Sequence, residues 1–354
     1  MKNQAVQYLA LDVHQSTVVA TLRDAAGTIV MHATVSTEAR AILMLVSSAG
    51  PRVHVAFEEG TQAQWLHDVL VPHVERVVVC NTRGEGGRGN KNDRLDADRL
   101  SERLRLGSLR SVFHGTPSVL TLKELVRNYN NLIEDSTRVM QRIKALFRAR
   151  GIRTPGVSVY RAAQREMWLS QLEGGARVCA TTLLAQLDVL LALRPNAKTA
   201  MLGEARRQPG WKSLRSIPFL GPIRVAEILA IMRTPYRFRT KRNLWPYAGL
   251  AVVTRSSADQ EFHEGTLRRR RRAPLTRGLN RNHNPILKAV FKGAANAATA
   301  KEGPLRDFYE ASLARGVRDE LAKVTLARKI VSVALRLWKK GELWNPEKLT
   351  MQVT

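Results

Sequence analysis

YLALDVHQSTVVATLRDAAGTIVMHATV, residues 8–35, decides the class of fold. Three short runs rich in β-branched residues stand in it: YLALDV (8–13), TVVATL (17–22) and, after the turn AAG, TIVMHATV (28–35). Runs of this length and composition bounded by polar turns read as strands. Outward from them, a helical pattern runs from Thr37 to Val46, and VHVAFE (53–58) forms a fourth strand. A helical stretch around 62–71, the strand RVVVC (76–80) and a helix after Asn92 that ends near Leu106 complete the series. Three strands followed by alternating helices and strands predict an α/β layered domain over residues 1–115.

Pro117 marks a boundary. From Ser118 to about Ala149, apolar residues at Leu122, Leu125, Tyr129, Leu132, Val139, Ile143 and Leu146 recur at threes, fours and sevens, as in a helical hairpin or coiled coil. Gly151 and Pro155 break the run, and a second helical run covers roughly 162–207. A helical coiled-coil region is therefore expected over 116–208. Residues 209–354 read as a mainly α domain: SIPFLGPIRVAEILA (216–230), a loop region to about 280, then helices around 285–299 and 304–340.

Charge narrows the partners. Lys and Arg total 57 against 30 acids, a net charge of +27, while 44% of the 354 residues are hydrophobic. So large a basic excess opposes compaction and points to a polyanion, here nucleic acid. Cys80 and Cys179 cannot build a disulfide framework or a four-thiolate zinc site, and both read as buried thiols. No HExxH occurs and His67 and His73 lack accompanying cysteines, so no histidine-based metal site is expected. No signal peptide or membrane-spanning run is read, which leaves a cytoplasmic expectation.

Asp12 closes the first strand, Glu58 closes the fourth, and Asp93 and Asp96 open the helix after the fifth. At i,i+3 spacing, Asp93 and Asp96 share the helix face that Leu100 and Leu104 continue, which turns both carboxylates toward the sheet. Asp98 and Glu102 fall on the opposite face and read as solvent-side partners of arginines. Four oxygen donors without His or Cys suit Mg²⁺ or Mn²⁺, and two such ions can clamp both oxygens of a phosphodiester exchange. Any one of these acids alone would be an ordinary cap or turn residue. Glu59 competes with Glu58, which the strand alternation favours.

Several other motifs carry less. GEGGRG (84–89) matches a dinucleotide fingerprint literally, but it follows the fifth strand and reads as a flexible basic loop. No GKS or GKT loop is present, so ATP is not expected. Gly221 and Pro222 in IPFLGPIRVAEIL have the form of a helix-hairpin-helix turn that would offer backbone N–H groups to a phosphate. A plain turn between two core helices fits equally. Arg268, Arg269, Arg270, Arg271 and Arg272 give charge for a nucleic-acid backbone without fixed direction. Trp245 and Tyr247 read first as core residues and second as stacking platforms.

Five segments together carry a family likeness: LDVH (11–14), FEEGTQAQWL (57–66), NKNDRLDADRL (90–100), SIPFLGPIRVAEILA (216–230) and YAGLAVVTRSSADQ (247–260). In order, they resemble the signatures of DEDD-type insertion-sequence transposases of the insertion-sequence one-ten family, called bridge-RNA-guided recombinases. The resemblance implies a RuvC-like, ribonuclease-H-type first domain with Asp12, Glu58, Asp93 and Asp96 at the metal-ligand positions. It implies a terminal transposase domain with Ser257 at the nucleophile position. It further implies dimers or tetramers formed through the coiled coil, and a structured guide RNA that pairs with donor and target DNA. Many relatives carry proline at the position of Val252 and glycine at that of Ala258.

On the residues alone, a serine pair in a polar loop is an ordinary turn, and a serine needs a base or a metal to become a nucleophile. Ser256 is the alternative to Ser257. A phosphoserine–DNA link would keep the phosphodiester energy, so rejoining would need no ATP. Two other readings stay open: a RuvC-like nuclease or junction resolvase that uses water, and a nucleic-acid-binding protein without catalysis.

Overall fold

The computed structural model describes residues 5–81, 92–112, 117–255, 260–269 and 275–347. The chain forms two compact units, Met1–His114 and Gly115–Thr354.

The first unit is built on a five-stranded sheet: β1 (Gln7–Val13), β2 (Thr17–Arg23), β3 (Ile29–Ser36), β4 (Val53–Glu58) and β5 (Arg76–Cys80). Its order is β3-β2-β1-β4-β5. β1, β4 and β5 run parallel, and β2 is antiparallel to both of its neighbours. Strict alternation divides the side chains between two faces. Leu9, Leu11, Val55 and Phe57 point to the face where α1 (Ala39–Ser48) and α2 (Ala63–Leu70) contribute Ile42, Leu45, Leu66 and Leu70 to one core. Ala10, Ala56, Val78 and Cys80 point to the other face, where Leu100 and Leu104 of α3 (Asp93–Arg105) cover them. Small alanines on that face allow α3 to lie close against the strands.

Both ends of α3 agree with its dipole. Asn92 caps it by accepting from the Arg94 N–H (3.1 Å), Asp93 and Asp96 occupy the first turn, and Arg103 and Arg105 the last. Asp98 corrects the expectation of a solvent-side acid. It lies on the sheet side, where it accepts from the buried Thr21 hydroxyl at 2.7 Å, with His32 at 3.5 Å. Glu102 does pair with arginine, holding Arg105 at 2.6 Å.

The second unit opens with a hairpin of two long helices, α4 (Pro117–Arg148) and α6 (Gly174–Arg207). Val139, Ile143 and Phe147 near the end of α4 pack on Ala176, Ala180 and Leu184 near the start of α6, so the pair is antiparallel. Short helical turns and α5 (Arg165–Leu169) interrupt the expected run at 162–207. At the other end, Leu122, Val126, Tyr129, Met201 and Leu202 join the core of the helices that follow. The base of the hairpin and the C-terminal helices thus share one interior.

Those helices are α7 (Trp211–Arg215), α8 (Pro222–Met232), α9 (Lys241–Tyr247), α10 (Pro285–Thr299), α11 (Pro304–Ala314) and α12 (Asp319–Lys340). The expected helix over 304–340 is two helices, parted at Gly316, whose φ of 79° is left-handed. The stretch read as loop holds α9 and two small ribbons: β6 (Val252–Arg255) with β9 (Leu275–Leu279), and β7 (Gln260–His263) with β8 (Thr266–Arg269). Glu264 and Gly265, both at positive φ, make the tight β7–β8 turn. Gly249, at φ +68, is required on two counts, since a Cβ there would meet the His283 ring at 2.6 Å.

Two further expectations change. Cys80 is buried, but Cys179 is exposed on α6. Among the described residues one helix, α6, is long and apolar enough to cross a membrane by length and composition. In the hairpin, one stripe of α6 packs on α4, while Val178, Val189 and Leu193 remain exposed.

Candidate functional site

The register of the first sheet assembles a cluster of acids at one edge. Leu11 pairs with Phe57 across the parallel β1–β4 ladder, so Asp12 and Glu58 are the next residues on neighbouring strands. Alternation places both on the Ala10/Ala56 face, the one that α3 covers. The first turn of α3 brings Asp93 and Asp96 to the same end. Ligand sites in open α/β sheets lie beyond the carboxyl ends of strands, and Asp12 and Glu58 stand at two such ends.

The closest group is Asp12, His14 and Asp93, whose ligating atoms all lie within 4.8 Å of one another. His14 Nε2 is 3.2 Å from Asp12 Oδ2 and 3.3 Å from Asp93 Oδ2. An ionised carboxylate only accepts, so the tautomer with a proton on that nitrogen donates to both acids. Burial raises the Asp12 carboxyl above its ordinary value, and the charges of Asp93 and Asp96 add to the rise while His14 opposes it. Three carboxylates crowding one half-buried position are the signature of a place where positive charge belongs. The residues present therefore fit a divalent cation.

Sequence reasoning misses His14. The spacing of histidines from one another and from cysteine carries no metal signal in this chain, whereas Asp-x-His at a strand end does. Period two puts Asp12 and His14 on one face. His14 thus joins Asp12 and Asp93 as a candidate donor beside the four acids.

A cleft of about 470 Å³ opens beside this group, lined among others by Asp12, His14, Glu58, Glu59 and Gln62. Glu58 and Glu59 both reach it. The Glu59 N–H extends the β4–β5 ladder to the Cys80 carbonyl at 2.8 Å, which fixes the backbone at the mouth. Asp96 stands at the margin, 3.7 Å from Arg99.

The remaining candidates lie in the second unit. Gly221 is the N-cap of α8 with Pro222 in its first turn, and no atom lies within 4 Å of where a Cβ would sit. The left-handed residue of the turn is Phe219 (φ 66°). Arg215 and Arg224 donate to the Leu220 and Phe219 carbonyls at 2.6 and 2.8 Å, which holds the turn rigid. Arg268 is exposed on β8, and Arg269 ends that strand. Ser256, Ser257, Arg270, Arg271, Arg272 and the GEGGRG loop lie outside the described residues. Tyr247 packs inward, tilted on Phe238 at 5.2 Å with Arg237 over its ring.

Comparison with known proteins matches both parts of the chain. A family model for the DEDD transposase of IS110 elements, described as a transposase, matches residues 9–149 and so takes in all four acids and His14. A second, described as the transposase IS116/IS110/IS902 family, matches residues 212–310. The chain belongs to the IS110 family of transposases. It is also 29% identical over 133 residues to the insertion element IS116 uncharacterized 44.8 kDa protein of Streptomyces clavuligerus. That match covers 38% of this chain and 30% of the relative, so the chain spans about a third of the curated protein's length. The two family models leave residues 150–211, which hold the whole of the hairpin's second arm, between them.

Proposed function

We propose that this IS110-family chain is a transposase that cuts and rejoins DNA, with Asp12, Glu58, Asp93 and Asp96 as a divalent-metal site and Ser257 as nucleophile. The observation that carries the reading is the convergence of Asp12, His14 and Asp93 at the strand ends, within the segment that the DEDD model matches. The sheet order with β2 antiparallel supports a RuvC-like, ribonuclease-H-type unit.

A bound Mg²⁺ or Mn²⁺ would polarise the scissile phosphate and steady its charge. The chain's own residues do the rest. Asp12 and Glu58 are anchored on adjacent strands and set one side of the site, while α3 sets Asp93 from the other. Without a cation, His14 Nε2 can donate to Asp12 and Asp93; with its proton released, the same nitrogen would be a ligand, which would favour Mn²⁺ over Mg²⁺ among hard ions. Ser257 Oγ would give up its proton and bond to phosphorus as the P–O bond to the departing deoxyribose oxygen breaks, and that oxygen takes up a proton. The reverse step, with another strand's hydroxyl, rejoins DNA without ATP.

The net charge of +27 supports nucleic-acid partners. A structured guide RNA pairing with donor and target DNA is the form that the family resemblance suggests. Exposed Val178, Val189 and Leu193 on the long hairpin support self-association into a dimer or tetramer. One feature favours a second reading: the Asp12–His14–Asp93 group is complete without the serine, as a nuclease that activates water would need.

Covalent trapping decides between them. A suicide DNA substrate with Mg²⁺ or Mn²⁺ and any co-purifying RNA should give a protein–DNA adduct with wild type and none with Ser257→Ala or Asp12→Ala. Cleavage without an adduct, unchanged by Ser257→Ala, would establish the water-using nuclease instead.

A further inference from the structure

We propose that the second unit carries a nucleotide-sized phosphate pocket, formed by the polar face of α12 and the start of α9, which seats one backbone phosphate of a nucleic-acid strand with its nucleoside. The proposal rests on the nucleic-acid reading above and assigns it a second, separate point of contact.

A cavity of about 550 Å³ lies there, within the range of small-ligand pockets. Its floor is one face of α12, where Thr325, Arg328, Lys329, Ser332, Arg336 and Lys339 recur at threes and fours. The opposite face of the same helix, including Leu326, Ile330 and Val331, is buried in the core. A basic helix face is ordinarily just solvated. Here a second basic wall faces it, Arg239 and Lys241 at the start of α9, and no Asp or Glu lines the cavity among the described residues. The acids of α12 sit in its first turn, at Asp319 and Glu320.

Gathering cations around a hollow is costly unless an anion enters. One detail shows part of that cost standing unrelieved. Arg336 Nε is buried and makes no hydrogen bond, although a guanidinium N–H in that position ordinarily finds an acceptor. Burial and the charges of Lys241 and Arg336 hold the Lys329 ammonium below its ordinary value. Other cations of the lining are held by backbone carbonyls rather than by acids. Arg328 Nε donates to the Leu250 carbonyl at 2.6 Å, and Lys339 Nζ to the Phe238 and Arg239 carbonyls at 2.6 and 3.1 Å.

The aromatic wall indicates more than inorganic phosphate. Trp245 is fixed by its indole N–H on the Arg328 carbonyl (3.4 Å), with Lys241 and Arg328 at 5.9 and 5.6 Å from its ring. Phe308 stands under Lys329 at 5.4 Å. Flat apolar rings set among cations match a base or sugar joined to a phosphodiester.

The test uses the full chain in EDTA, so that no cleavage intervenes and failure of the catalytic reading leaves the result intact. Fluorescence anisotropy would measure binding to single-stranded DNA, duplex DNA and RNA of about 20 nucleotides each. Wild type is compared with Lys329→Gln/Arg336→Gln, with the exposed rim pair Arg239→Gln/Lys241→Gln, and with Arg206→Gln/Arg318→Gln as a control of equal charge. Both pocket pairs should weaken at least one polymer about tenfold and flatten its salt dependence, while the control stays within about twofold. The polymer affected identifies the strand as DNA or RNA. If the half-buried floor pair melts early, the rim pair decides the outcome. Pocket variants that track the control with every polymer overturn the proposal, and so does a pocket that binds free phosphate alone.

Discussion

Thr21, buried in the middle of β2, donates its hydroxyl to Asp98 on α3 at 2.7 Å. This bond crosses from sheet to helix one and a half turns below Asp93, so it fixes how far the first turn of α3 stands from Asp12. Neighbouring contacts reinforce it: Arg23 Nε donates to Ser101 Oγ at 2.8 Å, and that hydroxyl donates to the Asp98 carbonyl. Asp98→Ala would remove the shorter of the two contacts of the buried Thr21 hydroxyl and leave it only His32 Nδ1 at 3.1 Å, at a cost of about 1–3 kcal/mol. Thr21→Val/Asp98→Ala, which removes both partners, should recover part of that loss. Denaturant unfolding of the single and double variants measures the coupling.

Asp12→Asn is expected to stabilise the chain near neutral pH when divalent metal is removed. The carboxyl of Asp12 is raised above its ordinary 3.8 in the folded state. Its favourable contribution is therefore present below the unfolded value and is lost as pH rises through the folded one. The melting temperature of the variant in EDTA should exceed that of wild type at about pH 7, and the difference should vanish below about pH 3.8. Equal melting at neutral pH would show that Asp12 is not strained by its neighbours.

Mn²⁺ should raise the melting temperature of wild type and not that of Asp12→Asn, since only the folded site holds the ion. At a concentration 100 times the dissociation constant the gain is about 2.7 kcal/mol. His14→Ala separates a ligand from a bystander. Loss of the nitrogen should weaken Mn²⁺ more than Mg²⁺, by about tenfold or more. Titration with each ion, read by melting or calorimetry, checks the ratio, and equal loss for both would make His14 a proton bridge only.

At the tip of the hairpin, Phe147 is fully buried and meets Trp168 edge to face at 5.9 Å. Phe147→Ala is expected to cost about 3–5 kcal/mol, read as a lower unfolding midpoint.

Arg165 grips Asp188 with two 2.5 Å bonds and tethers α5 to α6. The guanidinium holds the Asp188 carboxyl below its ordinary value. Its stabilisation is thus present above the unfolded value and is lost as pH falls through the folded one. Because the aspartate is half exposed, Asp188→Asn should cost only about 1 kcal/mol at neutral pH. Melting of the two proteins should converge in acid.

Much of the first unit is legible in the sequence because local signals there agree. The β-branched runs at 8–35 and the cap at Asn92 need no distant information, and the five strands lie where alternation puts them. Asp12 and Glu58 can be paired directly because both end strands. Asp98 is misplaced by periodicity, which gives a helix face, while the choice of which polar residue turns inward depends on Thr21, 77 positions away. The ribbons between 252 and 279 escape for a related reason: arginine-rich strands with Phe262 and Leu267 exposed show no buried face to read. The break at Gly316 is hidden because apolar spacing continues across it.

Asp12, Glu58 and Asp93 are spread over 82 positions, and the helix that supplies the last of them closes the unit. During synthesis the strands emerge first, carrying two acids with nothing opposite them. Only when α3 has left the ribosome and locked onto β2 does the cluster exist. At a rate of about 5–20 residues per second, the nascent chain passes several seconds with its first two acids in place but no assembled carboxylate cluster. Its chemistry is armed late by chain order itself.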